Sequence, residues 1–457
     1  MIQEILGKCM RLKIWIFLLT ILGGLPHLAF ALDSTAKVDS GNTAWVIVAS
    51  AMVLFMTVPG LALFYGGMVR RKNILSVLYF SLIAAIVISL LWVVAQYSLI
   101  FSPDIWGLIG GTKKFFMDGI GVNQLFGTTN IPETIFACFQ LMFAIITVAL
   151  ISGSLVERMN FGAWLLFIVL WSLIVYTPLA HWVWGGGWLS NGSIIGGLFG
   201  NPNLNALDFA GGLVVHISSG VSALVAALVL GPRVRYGKDA VIPNNIALTF
   251  IGTGILWFGW MGFNAGSALA ANGSACYAFL LTNTSAAMAA LTWLIIEWIH
   301  HKRPSIIGAC TGLVAGLVAI TPAAGFVSIK SALIIGFMVS IICYFFVVFI
   351  KKIFNYDDSL DAFGVHGIGG IWGALATGIF ASPLIGTYMN GQAASGLIHG
   401  NVSQLLIQIV SIAATILLAI AGTLIALWLV SLVTKLRVEP QEEIYGLDLT
   451  LHGEQQL

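Results

Sequence analysis

The chain has 457 residues, of which 59% are hydrophobic and only 8% charged, whereas a soluble globular protein carries about 25% charged residues. That composition, with a mean hydropathy of +0.99, leaves too little polar surface for a soluble fold and predicts a bundle of membrane helices in place of roughly three soluble domains. A net charge of +2 from 20 basic and 18 acidic residues excludes nucleic-acid binding as a main role, because phosphate contacts need a concentrated basic patch.

The first predicted element is a targeting signal over residues 1–31. Lys8, Arg11 and Lys13 precede an apolar run from Ile14 to Phe30, which ends in Ala29-Phe30-Ala31 and is followed by a polar stretch to Asn42. A basic segment, an apolar segment and an A-x-A pattern together read as a cleaved secretory signal. The alternative is an uncleaved anchor helix, since the run nearly reaches spanning length; Pro26 and His27 inside it weigh against that.

Apolar segments then recur over a membrane domain spanning 42–434, at 44–68, 74–101, 134–156, 161–180, 208–231, 246–266, 275–299, 305–323, 331–350, 361–381 and 404–434. Each is long enough to cross a hydrocarbon core of about 30 Å at 1.5 Å per residue. The expected fold is therefore an all-α integral membrane protein with eleven transmembrane helices after signal cleavage. One set of connections holds Arg70, Arg71, Lys72, Arg158, Arg233, Arg235, Lys238, Lys302, Arg303, Lys351, Lys352, Lys435 and Arg437, and the other holds Lys37, Lys113, Lys114 and Lys330. This bias orients the mature amino terminus outside and the carboxyl tail in the cytoplasm.

An internal repeat lies within these segments. Val215-His216-Ile217-Ser218-Ser219-Gly220-Val221 in the fifth and Val365-His366-Gly367-Ile368-Gly369-Gly370-Ile371 in the tenth both read V-H-x-x-x-G-[VI], each with an upstream aspartate, Asp208 or Asp361. Successive groups of five helices must cross in opposite senses, which predicts two inverted five-helix repeats plus one extra helix, with a substrate site near midplane. Residues 159–207, 240–296 and 362–434 contain no Asp, Glu, Lys or Arg, so the two histidines stand out. A lone membrane histidine often only bridges helices; two at equivalent positions mark an ion or proton path, since neutral imidazole donates at one nitrogen and accepts at the other.

Asp208 opens the predicted fifth helix, about 12 Å before His216 along a helix. It reads either as an N-cap or as a carboxylate favouring a cation at the outer mouth; Asp361 has the same choice at the inner end. Trp182, Trp184, Trp188 and Gly185-Gly186-Gly187 close the fourth helix, and Trp260-Met261-Gly262-Phe263-Asn264-Ala265-Gly266-Ser267 closes the sixth. These read either as an interfacial aromatic belt or as aromatic faces with one hydroxyl that bind a small cation through the ring quadrupole.

Asp208-Phe-Ala-Gly-Gly-Leu-Val-Val-His216, continuing to Gly231-Pro-Arg233, closely resembles the signature of the ammonium transporter (Amt/MEP/Rh) superfamily. So do Trp184-Gly-Gly-Gly187, Trp260 to Ser267 and Asp361-Ala-Phe-Gly-Val-His366. The resemblance runs from about residue 42 to Glu454, and the tail Glu443 to Glu454 is similar to that of bacterial Amt channels. It implies a homotrimer in a bacterial inner membrane, with one pore per subunit carrying ammonium, ammonia or the analogue methylammonium. By motif position it implies an outer substrate site of Phe143, Trp184 and Ser267, a gate of stacked Phe143 and Phe263, and a pore and proton relay of His216 and His366. Asp208, Asp361 and Trp260 would support these, with no metal and no cofactor. Phe143, three residues after Gln140, is implied by the resemblance alone and otherwise reads as an ordinary core aromatic.

The five cysteines are scattered with no CxxC pair, so neither a disulfide framework nor a metal cluster is expected. An intramembrane hydrolase would need a G-x-S-x-G or H-E-x-x-H element, which the sequence lacks. An Amt-like sensor would need a signalling domain after Leu436, where only about twenty residues follow. In that tail, residues 435–457, acidic Glu439, Glu442, Glu443, Asp448 and Glu454 suggest a solvated end. Ile444, Tyr445, Leu447, Leu449 and Leu451 suggest instead packing on the cytoplasmic loops around Arg233 to Lys238. The resemblance also implies coupling between subunits through this tail and a PII-type regulatory protein at the pore mouths.

Overall fold

The computed structural model describes residues 37–192, 194–238, 242–388 and 391–454; the expected signal at 1–31 lies outside them. Among the described residues, ten helices are long and apolar enough to cross a membrane. They are numbered here with one shorter apolar helix: α1 Ser40–Met68, α2 Arg71–Phe101, α3 Glu133–Ser154, α4 Phe161–Trp184, α5 Gly212–Leu230, α6 Ile246–Gly266, α7 Gly273–His301, α8 Ile306–Ile320, α9 Ile329–Phe354, α10 Phe363–Phe380 and α11 Val402–Ser431. A backbone in hydrocarbon must satisfy its own hydrogen bonds, which makes helix the outcome for apolar runs of this length. Every expected segment overlaps one of these helices, with end points that differ by up to four residues.

Two differences from the sequence expectation have physical causes. α8 has only 15 residues, about 22 Å at 1.5 Å per residue, because the chain turns out of helix at Thr321. The following turn is buried in protein: the Pro322 carbonyl accepts the Phe209 N–H at 3.1 Å, and a Cβ on Gly325 would fall 2.1 Å from the Phe209 ring. Irregular backbone at membrane depth is tolerated where protein covers it. The second difference is at α5, which begins at Gly212 and not at Asp208. Gly211 at φ +117° lies between them, in a region that glycine enters at little cost.

Helical geometry is also modified near the two histidines. His216 sits in a π turn, Gly212–Ile217, and His366 in another, Phe363–Gly367. Such wide turns concentrate at functional sites. The motif glycines explain how the two segments meet. A Cβ on Gly220 would fall 2.1 Å from the Gly367 nitrogen, and one on Gly370 would fall 3.0 Å from His216 Cβ. Each glycine, one turn after its own histidine, therefore receives the backbone or side chain of the other V-H element.

The face bearing the basic connections is tied by a buried ionic cluster. Arg233, in the loop after α5, donates to Asp357 Oδ1 and Oδ2 at 2.8 and 2.9 Å and to Glu157 Oε2 at 2.7 Å. Glu157 also accepts from Arg70 Nε at 3.0 Å and Asn73 Nδ2 at 2.9 Å. Burial by itself would raise the Glu157 carboxyl, but the Arg233 and Arg70 guanidinium groups hold it down to about 2 from an ordinary 4.5. The fully buried Arg158 donates to the Asp357 carbonyl and to Ser359 Oγ, each at 2.7 Å.

The tail is not a solvated end. Two short helices, α12 Pro440–Tyr445 and α13 Leu447–His452, dock on this basic face. Glu443 accepts from the Val234 N–H at 2.5 Å and Arg437 Nη2 at 2.8 Å, and Asp448 accepts the N–H groups of Leu75 and Ser76 at 3.1 and 2.7 Å. Lys72 Nζ reaches the Ile444 carbonyl. Leu447 is completely buried, while Tyr445 is exposed.

On the opposite face, Glu133 at the start of α3 accepts from Tyr97 Oη at 2.6 Å and Gln124 Nε2 at 2.8 Å and pairs with Lys114. A small hairpin, β1 Asp104–Ile105 with β2 Ile109–Gly110, is seated by His181, whose ring lies 2.6 Å from the Ile100 carbonyl and 2.8 Å from Asp104 Oδ1.

Candidate transport pathway

A cavity of about 280 Å³ opens at the face opposite the basic cluster, lined in part by Phe143, Trp184, Asp208, Phe209 and Ser267. Trp184 is the last residue of α4, and its placement explains the glycines after it. A Cβ on Gly185 would fall 2.1 Å from the Ile100 carbonyl oxygen, and one on Gly187 would fall 2.9 Å from that of Gly107. The glycines let the helix end against α2 and the hairpin, and the indole Nε1–H donates to the Asp208 carbonyl at 2.9 Å. The Trp184 ring is thereby held at the cavity wall.

Asp208 acts as a cap. Its carboxylate accepts the N–H groups of Gly211, Gly212, Leu213 and Val214 at 2.9, 2.5, 2.8 and 3.2 Å. These are the orphan donors of a helix start, and an anion there is favoured by the helix dipole. Burial raises its carboxyl above the usual range even against these four donors.

Below the cavity, Phe143 meets Trp184 edge-on at 5.7 Å between centroids and lies on Phe263 at 4.3 Å and 33°. Phe143 and Phe263 are buried to 1% and 0% exposure, so the pair closes the cavity floor. Ser267 Oγ donates to the Phe263 carbonyl at 2.9 Å, one turn down α6. Past the phenyl pair, the His216 ring is 6.2 Å from Phe263 and stacks on Trp260 at 5.4 Å and 19°. Trp260 is itself fixed by a bond from its Nε1 to Thr321 Oγ1 at 2.8 Å, in the turn that shortens α8.

His216 and His366, 150 residues apart, meet through their Nδ1 atoms at 3.3 Å, with ring planes 24° apart. One nitrogen must donate and the other accept, so a neutral pair holds one proton between them and presents one acceptor and one donor at the two Nε2 atoms. His216 Nε2 has no partner among the described residues. The cavity, the phenyl pair and the two imidazoles thus follow one another from one face into the core.

All but one of the site residues expected from sequence lie on this line or cap it; Asp361 is the exception. It pairs with Lys351 Nζ at 2.6 Å and adopts φ +58°. The residue that repeats the Asp208 contacts is Asp358, which accepts the N–H groups of Ala362 and Phe363 at 3.1 and 2.9 Å and the Ser154 hydroxyl. The signal was spacing: Asp358 precedes His366 by eight residues, as Asp208 precedes His216, whereas Asp361 precedes it by five.

A bundle of apolar helices enclosing an aromatic constriction and a buried imidazole pair defines a polytopic membrane transport protein. The profile of the Ammonium Transporter Family matches residues 44–457, and the chain belongs to that family. It is 49% identical to an ammonium transporter of Aquifex aeolicus over 427 residues, covering 93% of this chain and 95% of that one. It is likewise 49% identical to an ammonium transporter of Bacillus subtilis, covering 91% and 98%. The crystal structure of Saccharomyces cerevisiae Mep2 is similar at a TM-score of 0.80 and 36% identity, covering 90% of this chain and 92% of that one.

Proposed function

We propose that this protein transports ammonium. The ion is recruited at Trp184, Phe143 and Ser267, gives up its proton near the Phe143–Phe263 gate, and crosses as ammonia past His216 and His366 while the proton moves along the imidazole pair. The observation that carries this reading is the Nδ1–Nδ1 contact of 3.3 Å directly beyond the aromatic constriction. Energies agree with it. Carrying an intact ion through an apolar pore costs several kcal/mol in desolvation, and beyond the cavity the line of Phe143, Phe263, Trp260, His216 and His366 includes no acidic side chain to offset it. Removing the proton at neutral pH costs about 4–5 kcal/mol if its acidity resembles that of a lysine ammonium, at 1.36 kcal/mol per pKa unit.

The loop charges favour a bacterial inner-membrane protein with its mature amino terminus outside, after cleavage of residues 1–31, and its tail in the cytoplasm. Eleven crossings in two inverted five-helix repeats plus α11 are favoured by the reciprocal Gly220 and Gly370 contacts and by the matched Asp208 and Asp358 caps. Asp208 serves transport as the anchor of the α5 start and of the Trp184 ring. Asp361, in this reading, supports the inner mouth through Lys351. The protein is a homotrimer in which α12 and α13 hold the inner mouth open by docking on the basic face, where a PII-type protein binds.

Uptake of labelled methylammonium by the reconstituted chain tests the function. Saturable uptake inhibited by ammonium, with an ammonium-evoked inward current, is the expected result. Uptake no faster than in empty vesicles would refute it.

A further inference from the structure

In the relay proposed above, little holds the first imidazole. Among the described residues, the His216 ring has one hydrogen-bond partner, His366 at its Nδ1, and its Nε2 has none. A single bond leaves the ring free to turn about the bond axis, and a ring turned out of plane aims its second nitrogen away from the path. Ring contacts are what remain to set that plane. Trp260 lies nearest to parallel with His216, at 19°, against 24° for His366 and 34° for Phe263. The orientation of the indole therefore governs the orientation of the imidazole.

The indole is locked at its nitrogen. Trp260 Nε1 donates to Thr321 Oγ1 at 2.8 Å, and the Thr321 hydroxyl donates in turn to the Leu317 carbonyl at 2.8 Å. A hydroxyl has a single hydrogen to donate, so with that hydrogen given to Leu317 the oxygen faces the indole as an acceptor. Both residues are buried, where an indole N–H without a partner is costly. The end of α8 is also wedged against both histidine helices. A Cβ on Gly212, which opens the π turn of His216, would fall 2.5 Å from the Pro322 ring, and one on Gly373 of α10 would fall 2.4 Å from the Ala319 carbonyl oxygen. Thr321 is thus fixed relative to the two segments whose imidazoles meet.

We infer that Thr321 is a positioning residue of the relay: its hydroxyl holds the Trp260 indole, and the indole face sets the plane of His216. The inference rests on the transport reading above and deepens it. Thr321 does not line the mouth cavity, so removing its hydroxyl leaves recruitment intact and slows the passage of charge.

The test uses the full chain in proteoliposomes, with Thr321→Val, which keeps the shape and removes the acceptor, and Thr321→Ser, which keeps the acceptor. Ammonium-evoked current per folded protein is measured over a range of ammonium concentrations. Thr321→Val should lose about fivefold in maximal current, the worth of one neutral hydrogen bond, with half-saturation within about twofold of the unsubstituted chain. Thr321→Ser should keep its maximal current within about twofold. Trp260→Phe removes the same bond from the donor side while keeping a ring face. It should show the same split, and adding Thr321→Val to it should cost no further current. Undiminished maximal current in Thr321→Val overturns the inference, as does a shift in half-saturation alone, which would put its action at the mouth. Equal losses in the valine and serine variants, or additive losses with Trp260→Phe, also overturn it, because Thr321 would then act by packing. If Thr321→Val fails to fold, Trp260→Phe decides, and undiminished current there overturns the inference. Failure of the unsubstituted chain to take up methylammonium would refute the transport reading itself, whereas normal uptake with unaffected variants removes the role of Thr321 alone.

Discussion

The two V-H elements can be separated by a single methyl group. In Gly220→Ala the added Cβ would lie 2.1 Å from the Gly367 nitrogen, 2.5 Å from its Cα and 3.0 Å from the His366 carbonyl carbon. These are backbone atoms, so no side-chain rotation relieves the clash. Restoring ordinary contact requires α5 and α10 to part by about 1 Å at this crossing, and overpacking of this kind costs about 1–3 kcal/mol. The functional cost is larger than the energy suggests, because His366 moves with that backbone. A Nδ1–Nδ1 distance of 3.3 Å, lengthened by about 1 Å, leaves hydrogen-bonding range. The assay is ammonium-evoked current in proteoliposomes, with thermal melting of the purified protein measured in parallel. Gly220→Ala should lose most of its current while melting a few degrees lower, and Gly220→Ser should do no better. Full current together with an unchanged melting temperature would mean that the helices do not cross as closely as described, and would refute the argument.

His216→Ala and His366→Ala should each abolish charge-coupled transport in protein that still folds; undiminished current in both variants would remove the relay. Trp184→Leu should weaken recruitment by about 1–2 kcal/mol if the cation is partly desolvated at the ring, read as a rise in half-saturating methylammonium. Arg233→Met leaves Asp357 with Arg158 at 3.8 Å and Glu157 with Arg70, so the loss should fall near the lower end of the 3–5 kcal/mol typical of a broken buried pair, measured by thermal melting. The Glu157 carboxyl, held down to about 2 from 4.5, contributes stability that is complete above pH 4.5 and is lost as pH falls toward 2. Glu157→Gln should therefore melt lower than the unsubstituted chain at pH 7 and show a shallower decline between those two values.

The membrane character, the positions of the helices and the two V-H elements were legible in the sequence, because each depends on local properties. Whether a segment spans a bilayer is decided by its own length and apolarity and by the need to satisfy its backbone internally, so the apolar helices among the described residues lie where the hydropathy places them. The paired histidines stood out because they interrupt stretches without charge. What the tertiary structure decided concerns groups far apart in the chain. Phe143 differs in no local respect from other buried phenylalanines, and only its 4.3 Å contact with Phe263, 120 residues away, makes it the floor of a cavity. The aspartate equivalent to Asp208 is a different case: Asp358, not Asp361, accepts the N–H groups of Ala362 and Phe363, a local contact whose signal in the sequence is the eight-residue spacing to His366. The tail reads as acidic and solvated by charge alone, yet Glu443 and Asp448 are buried against the N–H groups of Val234, Leu75 and Ser76. For Phe143 and the tail the deciding quantity is a distance between elements, which periodicity and composition do not contain.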